Sequence, residues 1–201
     1  YSDRRFRTEI LGEFAVGEGT VFSGIVNCVS PTELTQQGNL VAGIDFGSGN
    51  LQDSTVVTFI DEELQVIAQY DTNDMPRMEQ IDLLARLLLD YKPVRVLAEK
   101  NGLGSVYFDA LKQKCPIVTP WITTNDSKTA IVDDLAAHIE KGRIKFQPKC
   151  EKLLEQLQVY RETQSSTGKR VFNAPPGKHD DFVISTALAL RARKLGRYSI
   201  G

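Results

Sequence analysis

The chain has 201 residues, of which 41% are hydrophobic and 25% charged, a balance that supports one well-buried core and excludes a disordered or low-complexity class. No apolar run approaches the ~18–20 residues of a membrane span, so no membrane partner is expected. The net charge of −2 hides a split: residues 1–99 hold 7 Lys+Arg against 16 Asp+Glu, and residues 100–201 hold 17 against 10. That asymmetry fits either a basic surface facing a polyanion or two differently solvated faces.

Residues 1–38 read as an irregular linker: Arg7–Phe14 suits a helical or extended end, and Gly17, Gly19, Pro31 and Gly38 punctuate the stretch beyond it. The opening Tyr1-Ser2-Asp3-Arg4-Arg5-Phe6-Arg7, without Met or a hydrophobic signal core, reads as the start of a piece cut from a longer protein. Regular pattern begins at residue 39. Leu40, Ala42, Ile44 and Phe46 alternate with Val41, Gly43, Asp45 and Gly47, which predicts a strand carrying Asp45 on its small-residue face. A loop (47–53), a strand (54–60), a turn (61–63) and a strand (64–70) complete an antiparallel meander.

The period then becomes helical. Ile81, Leu84, Leu88 and Tyr91 predict a helix over 76–91, with Pro76 at its start. Val94–Ala98 reads as a buried strand, followed by a helix at about 103–114 and a strand around 117–121 whose Trp121 belongs in the core. Asn125-Asp126-Ser127 opens a helix stacked on Ile131, Leu135 and Ile139 and ended by Gly142. His138 falls on its polar, solvated face. An edge strand at 143–146, a helix over 148–161, a protruding hairpin within 158–175 turning at Ser165–Gly168, and a closing helix over 180–195 finish the chain. A meander followed by alternating units fits an α/β fold, a mixed sheet flanked by helices. Cys28, Cys115 and Cys150 are odd in number and widely spaced, which suits neither a disulfide framework nor a zinc site and fits a reducing compartment.

Three acidic positions conflict with their surroundings. Asp45 sits mid-strand between Gly43 and Gly47, glycines that clear a ligand's path; Glu99 ends a buried strand; Asp180 and Asp181 begin the last helix. Taken singly, each has a plain structural role: binding loop amides, or capping a helix. If the first and fourth strands are neighbours under the last helix, the acids converge and raise one another's pKa. Oxygen-loving divalent cations resolve such repulsion, and a pair ~3.5–4 Å apart can activate water and stabilise a leaving oxygen.

These strings, Gly43-Ile44-Asp45-Phe46-Gly47 with Asp53-Ser54-Thr55, then Ala98-Glu99-Lys100-Asn101-Gly102, then His179-Asp180-Asp181-Phe182-Val183, resemble the nuclease domain of tailed-phage large terminase subunits. Phe6–Phe14 and Gly19–Phe22 resemble the end of that family's packaging ATPase domain, and Ser127–Thr129 through Glu140–Ile144 its helix and edge strand beside the site. The resemblance implies an RNase H-like fold, with 1–38 as the linker or end of the ATPase domain and 39–201 as the nuclease. It implies Mg²⁺ or Mn²⁺, two ions, as cofactor, and cutting of concatemeric double-stranded DNA with low sequence specificity. Asp45, Glu99 and one or both of Asp180 and Asp181 would be the ligands. Asp181 is favoured because Ile184, Ser185 and Leu188 share its face, and Glu99 stands where many members have Asp. The portal and small terminase subunit would be partners, in the cytoplasm of the infected bacterium and outside the mature particle.

Beside the acids, His179 suits proton relay or substrate orientation. Lys100, Lys128 and Lys178 adjoin the motifs and could meet phosphates, while Lys169 and Arg170 on the hairpin could track DNA without reading sequence. No G-x-x-x-x-G-K-[ST] occurs, so this stretch is expected not to hydrolyse ATP. Three other readings stay open: a Holliday-junction resolvase or transposase of the same superfold; an actin-like ATPase, whose phosphate loop is similar to Ile44–Asn50; and a catalytically dead interaction module, disfavoured by the presence of all the expected acids.

Overall fold

The computed structural model describes residues 19–47, 54–102 and 104–197. The expected end-of-domain stretch Arg7–Phe14, most of the 47–53 loop with Asp53, and the helix start at Leu103 lie outside the described residues. The first strand, β1 (Val41–Asp45), is buried throughout. It pairs antiparallel with β2 (Thr55–Ile60), which pairs antiparallel with β3 (Gln65–Thr72). After α1 (Arg77–Tyr91) the chain returns as β4 (Arg95–Glu99), then α2 (Gly104–Lys114), β5 (Val118–Trp121), α3 (Asn125–Glu140), β6 (Lys145–Phe146) and α4 (Glu151–Val159). Strands β7 (Arg161–Gln164) and β8 (Arg170–Asn173) form a separate hairpin, and α5 (Asp181–Arg197) closes the chain.

The main sheet has the order β5-β4-β1-β2-β3-β6, with β4 parallel to both β1 and β5. Hydrophobic alternation divides the core between its faces. Ala42, Ile44, Val96 and Ala98 join α1 and α2 on one side; Val41, Leu97 and α3, α4 and α5 fill the other. The meander, the alternating units and the parallel neighbours β1 and β4 agree with the pattern expected from the sequence. Among the described residues, no helix is long and apolar enough to cross a membrane.

Packing revises four local readings. Gly43 clears a path for a helix rather than for a ligand: a Cβ there would lie 2.1 Å from Ser185 O and 2.3 Å from Ala189 N of α5. Of the expected linker, the described part is not free chain. Phe22, Ile25 and Cys28 are buried in the core, Thr20 bridges to Arg161 and Val29 to Phe146. His138 is half-buried, its Nδ1 2.8 Å from Asp134 O, because it lies beside the α5 contact of α3 rather than on an open face. Trp121 packs against the core but is only half-buried, with the Arg191 guanidinium 5.7 Å from its ring centre. All three cysteines are buried free thiols, and burial pushes Cys28 and Cys150 up to about 11.

Candidate metal centre

Parallel register puts Ile44 beside Ala98, so Asp45 and Glu99 end adjacent strands. Because side chains alternate, both acids point to the face covered by α5, as Gly43 and Leu97 do. The absent Cβ of Gly43 lets α5 sink onto β1, which draws the start of the helix toward the strand ends. The result is a cleft of about 250 Å³ lined by Asp45, Glu99, Asp180 and Asp181, with Phe46, Gly47, Thr123, Lys128, Lys178, His179 and Ile184 completing its walls. Asp45 is 8% exposed. Its carboxyl is held well above the usual range, first by loss of water, then by a hydrogen bond and charge repulsion from Glu99, then by the charges of Asp181 and Asp180.

Polar neighbours hold these acids. Asn101 Nδ2 donates to Glu99 Oε1 at 3.2 Å and to Thr123 O at 2.7 Å, fixing the carboxylate to the β5 side. Asp181 Oδ2 accepts from Ser54 N at 3.1 Å. Asp180 Oδ2 accepts from Lys128 Nζ at 2.9 Å and from the buried Tyr160 hydroxyl at 3.2 Å. The all-oxygen, anionic donor set suits a hard divalent cation. Among the described residues no three His, Cys, Asp or Glu side chains are already gathered in a form that could hold an ion. The donors therefore fit by chemistry and by the backbone that carries them, with side-chain rotation still required.

Comparison with known proteins agrees with this geometry. Residues 42–193 match the family described as Terminase RNaseH-like domain. The chain belongs to this family. The large terminase subunit of Thermus phage G20c is 28% identical over 93% of the chain, which spans only 41% of that protein's length. Among solved structures, the large terminase nuclease of phage G20c with bound magnesium superposes at a TM-score of 0.76, with 24% identity, covering 87% of this chain and 98% of that one. The same nuclease is known with cobalt and with zinc. The Thermus phage P74-26 large terminase nuclease domain gives a TM-score of 0.69 and 25% identity, covering 85% and 93%.

Within this terminase RNaseH-like domain the expected basic residues separate by surroundings. Lys128, Lys178 and His179 stand at the acid cleft. Lys100 does not: next to Glu99 on the strand path, it points to the other face, where its Nζ meets Asp109 at 2.7 Å and sits 4.8 Å from the Phe108 ring centre. Arg170 is engaged in surface ion pairs. It bonds Glu162 and Asp133 with four contacts of 2.8–2.9 Å, tying the hairpin to α3 and raising its own pKa through those bonds. Arg170 pairs with Gln164 next to the turn, so these bonds tie the turn end of the hairpin to α3, and Lys169 beside it remains exposed.

Proposed function

We propose that this domain is the metal-dependent endonuclease of a phage large terminase subunit, cutting double-stranded DNA concatemers with low sequence specificity. The observation that carries the proposal is the gathering of four carboxylates from β1, β4 and the start of α5 into one small cleft with lysines on its wall. Asp45, Glu99, Asp181 and Asp180 would hold the metal, Mg²⁺ or Mn²⁺, as two ions. Once bound, the metal supplies a more acidic water and positive charge for the phosphate oxygens. Asp45 is the buried member of the four and would be a ligand shielded from water. Asn101 keeps Glu99 turned inward, and Lys128 offsets part of the Asp180 charge while sitting where a phosphate would approach. His179 and the exposed Lys178 form the wall over which the strand would pass. Lys169 adds a distant, sequence-independent phosphate contact, while Lys100 and Arg170 drop out of the DNA-facing set. The magnesium, cobalt and zinc held by the related G20c nuclease support a divalent ion here.

This reading carries with it an ATPase domain upstream, the portal and small subunit as partners, and action in the cytoplasm of the infected cell. Incubation with supercoiled plasmid is the direct test. Nicking and linearisation with Mn²⁺ or Mg²⁺, stopped by EDTA and spread over many sites, are the expected result. Cutting that persisted in excess EDTA, or was confined to branched DNA, would overturn it.

A further inference from the structure

An aspartate standing just before a helix ordinarily turns its carboxylate back onto the amides two and three residues on, where the positive end of the helix favours an anion. Asp180 stands in that place: its carbonyl accepts from Ile184 N at 2.9 Å, the first bond of α5. Yet the amides open to it, those of Phe182 and Val183, are taken by Gln156 Oε1 of α4 at 2.8 and 3.3 Å. The Asp180 carboxylate instead accepts from Lys128 and Tyr160, both at Oδ2. Gln156 and Tyr160 are four residues apart at the end of α4, so a single turn supplies both the substitute cap and one holder of the displaced carboxylate. The substitute is also neutral, and a carboxylate in its place would add a further negative charge beside a cleft already lined by four acids.

We propose that Gln156 is a positioning residue for the acid cleft: its side-chain carbonyl occupies the first free amides of α5 and so prevents Asp180 from folding back as a helix cap. The two acceptors compete for the same donors, and the outcome decides whether Asp180 serves the helix or the cleft. This inference rests on the metal-site reading above.

The test uses Mn²⁺ binding by calorimetry together with crystal structures of the metal-free variants. Gln156→Met keeps the length and packing of the side chain but removes the acceptor. It should weaken Mn²⁺ binding roughly tenfold, as loss of an outer-shell partner does, with Asp180 swung onto the Phe182 and Val183 amides. Gln156→Glu retains an acceptor and should leave Asp180 in place. In an Asp180→Ala background Gln156→Met should cost no further affinity, since no carboxylate remains to be captured. Parent-like affinity in Gln156→Met, an unmoved Asp180, or an equal loss in both backgrounds would each overturn the proposal, the last by showing a general weakening of the helix. A parent chain that takes up no Mn²⁺ would instead sink the metal-site reading, and the position of Asp180 in the Gln156→Met crystal would still decide the capping competition.

Discussion

Asp45 combines near-complete burial with repulsion from three other carboxylates, and each of these raises the free energy of its charged form. Asp45→Asn keeps the shape and removes the charge. Cleavage of plasmid by this variant should fall below detection, while its urea midpoint in EDTA stays level with the parent or rises slightly, because a repelling member has been neutralised. Substantial remaining activity would take Asp45 out of the chemistry, and a large drop in midpoint would make it structural. The acids were legible in the sequence because a carboxylate within or ending an apolar strand contradicts the pattern around it. Gln156, Tyr160 and Asn101 were not. Gln156 and Tyr160 are a polar and an aromatic residue on a helix end that could as well face water, and what gives them meaning is contact with the start of α5, twenty or more positions further along the chain. Arg170 shows the reverse case. A cation on an exposed turn looks free until its partners are known, and Asp133 lies thirty-seven positions earlier on another element.

Among the elements, the crossing of β1 by α5 does most to build the site, since it brings the start of the helix to the ends of β1 and β4. Its tolerance is set at Gly43, where an added Cβ would collide with backbone rather than with a movable side chain. Gly43→Ala should therefore cost stability at or above the ~3 kcal/mol end of overpacking, and push α5 outward so that activity falls with it. Calorimetric melting beside plasmid cleavage checks this; a variant as stable as the parent would mean that the helix rides higher on the sheet. The hairpin separates two roles that looked alike in sequence. Lys169→Ala should leave stability unchanged and lower the salt slope of DNA binding by ~0.9, one phosphate contact. Arg170→Ala should chiefly loosen the hairpin from α3, visible as lower thermal stability, because Asp133 and Glu162 lose their shared partner. Binding curves at several salt concentrations distinguish the two, and a parent-like slope for Lys169→Ala would remove the hairpin tip from the DNA path. Strand order and helix order were readable here because period-two and period-3.6 patterns dictate which face is buried. The closeness of one crossing was not, because a glycine in a strand is equally consistent with a ligand's approach and with a helix's.

For the molecule as a whole, the boundary of the folding unit is the point at which sequence pattern and packing diverge most. Glycines and one proline made residues 1–38 look like linker, and periodicity starts only at residue 39. Burial obeys different logic: a segment with no repeating pattern can still seal a core with a few large side chains. Phe22 and Ile25 are each 2% exposed and Cys28 is fully enclosed. Phe22 stacks on Tyr160 with ring centres 5.7 Å apart, and Tyr160 in turn bonds Asp180. The segment thus covers the α3–α4 side of the core and backs a residue that holds one of the site acids. A chain begun at residue 39 would leave the groove occupied by Phe22, Ile25 and Cys28 open to water. It should be far less stable than one begun at residue 19, and Phe22→Ala alone should cost ~3–5 kcal/mol, as loss of a buried aromatic ring does. Urea unfolding of the two lengths and of the Phe22→Ala variant measures this directly. Because Tyr160 loses its stacking partner when Phe22 is removed, Mn²⁺ binding by Phe22→Ala should weaken as well, at temperatures where the variant is still folded. Equal stability of the two lengths would return the segment to the status of a linker and place the boundary at residue 39 after all.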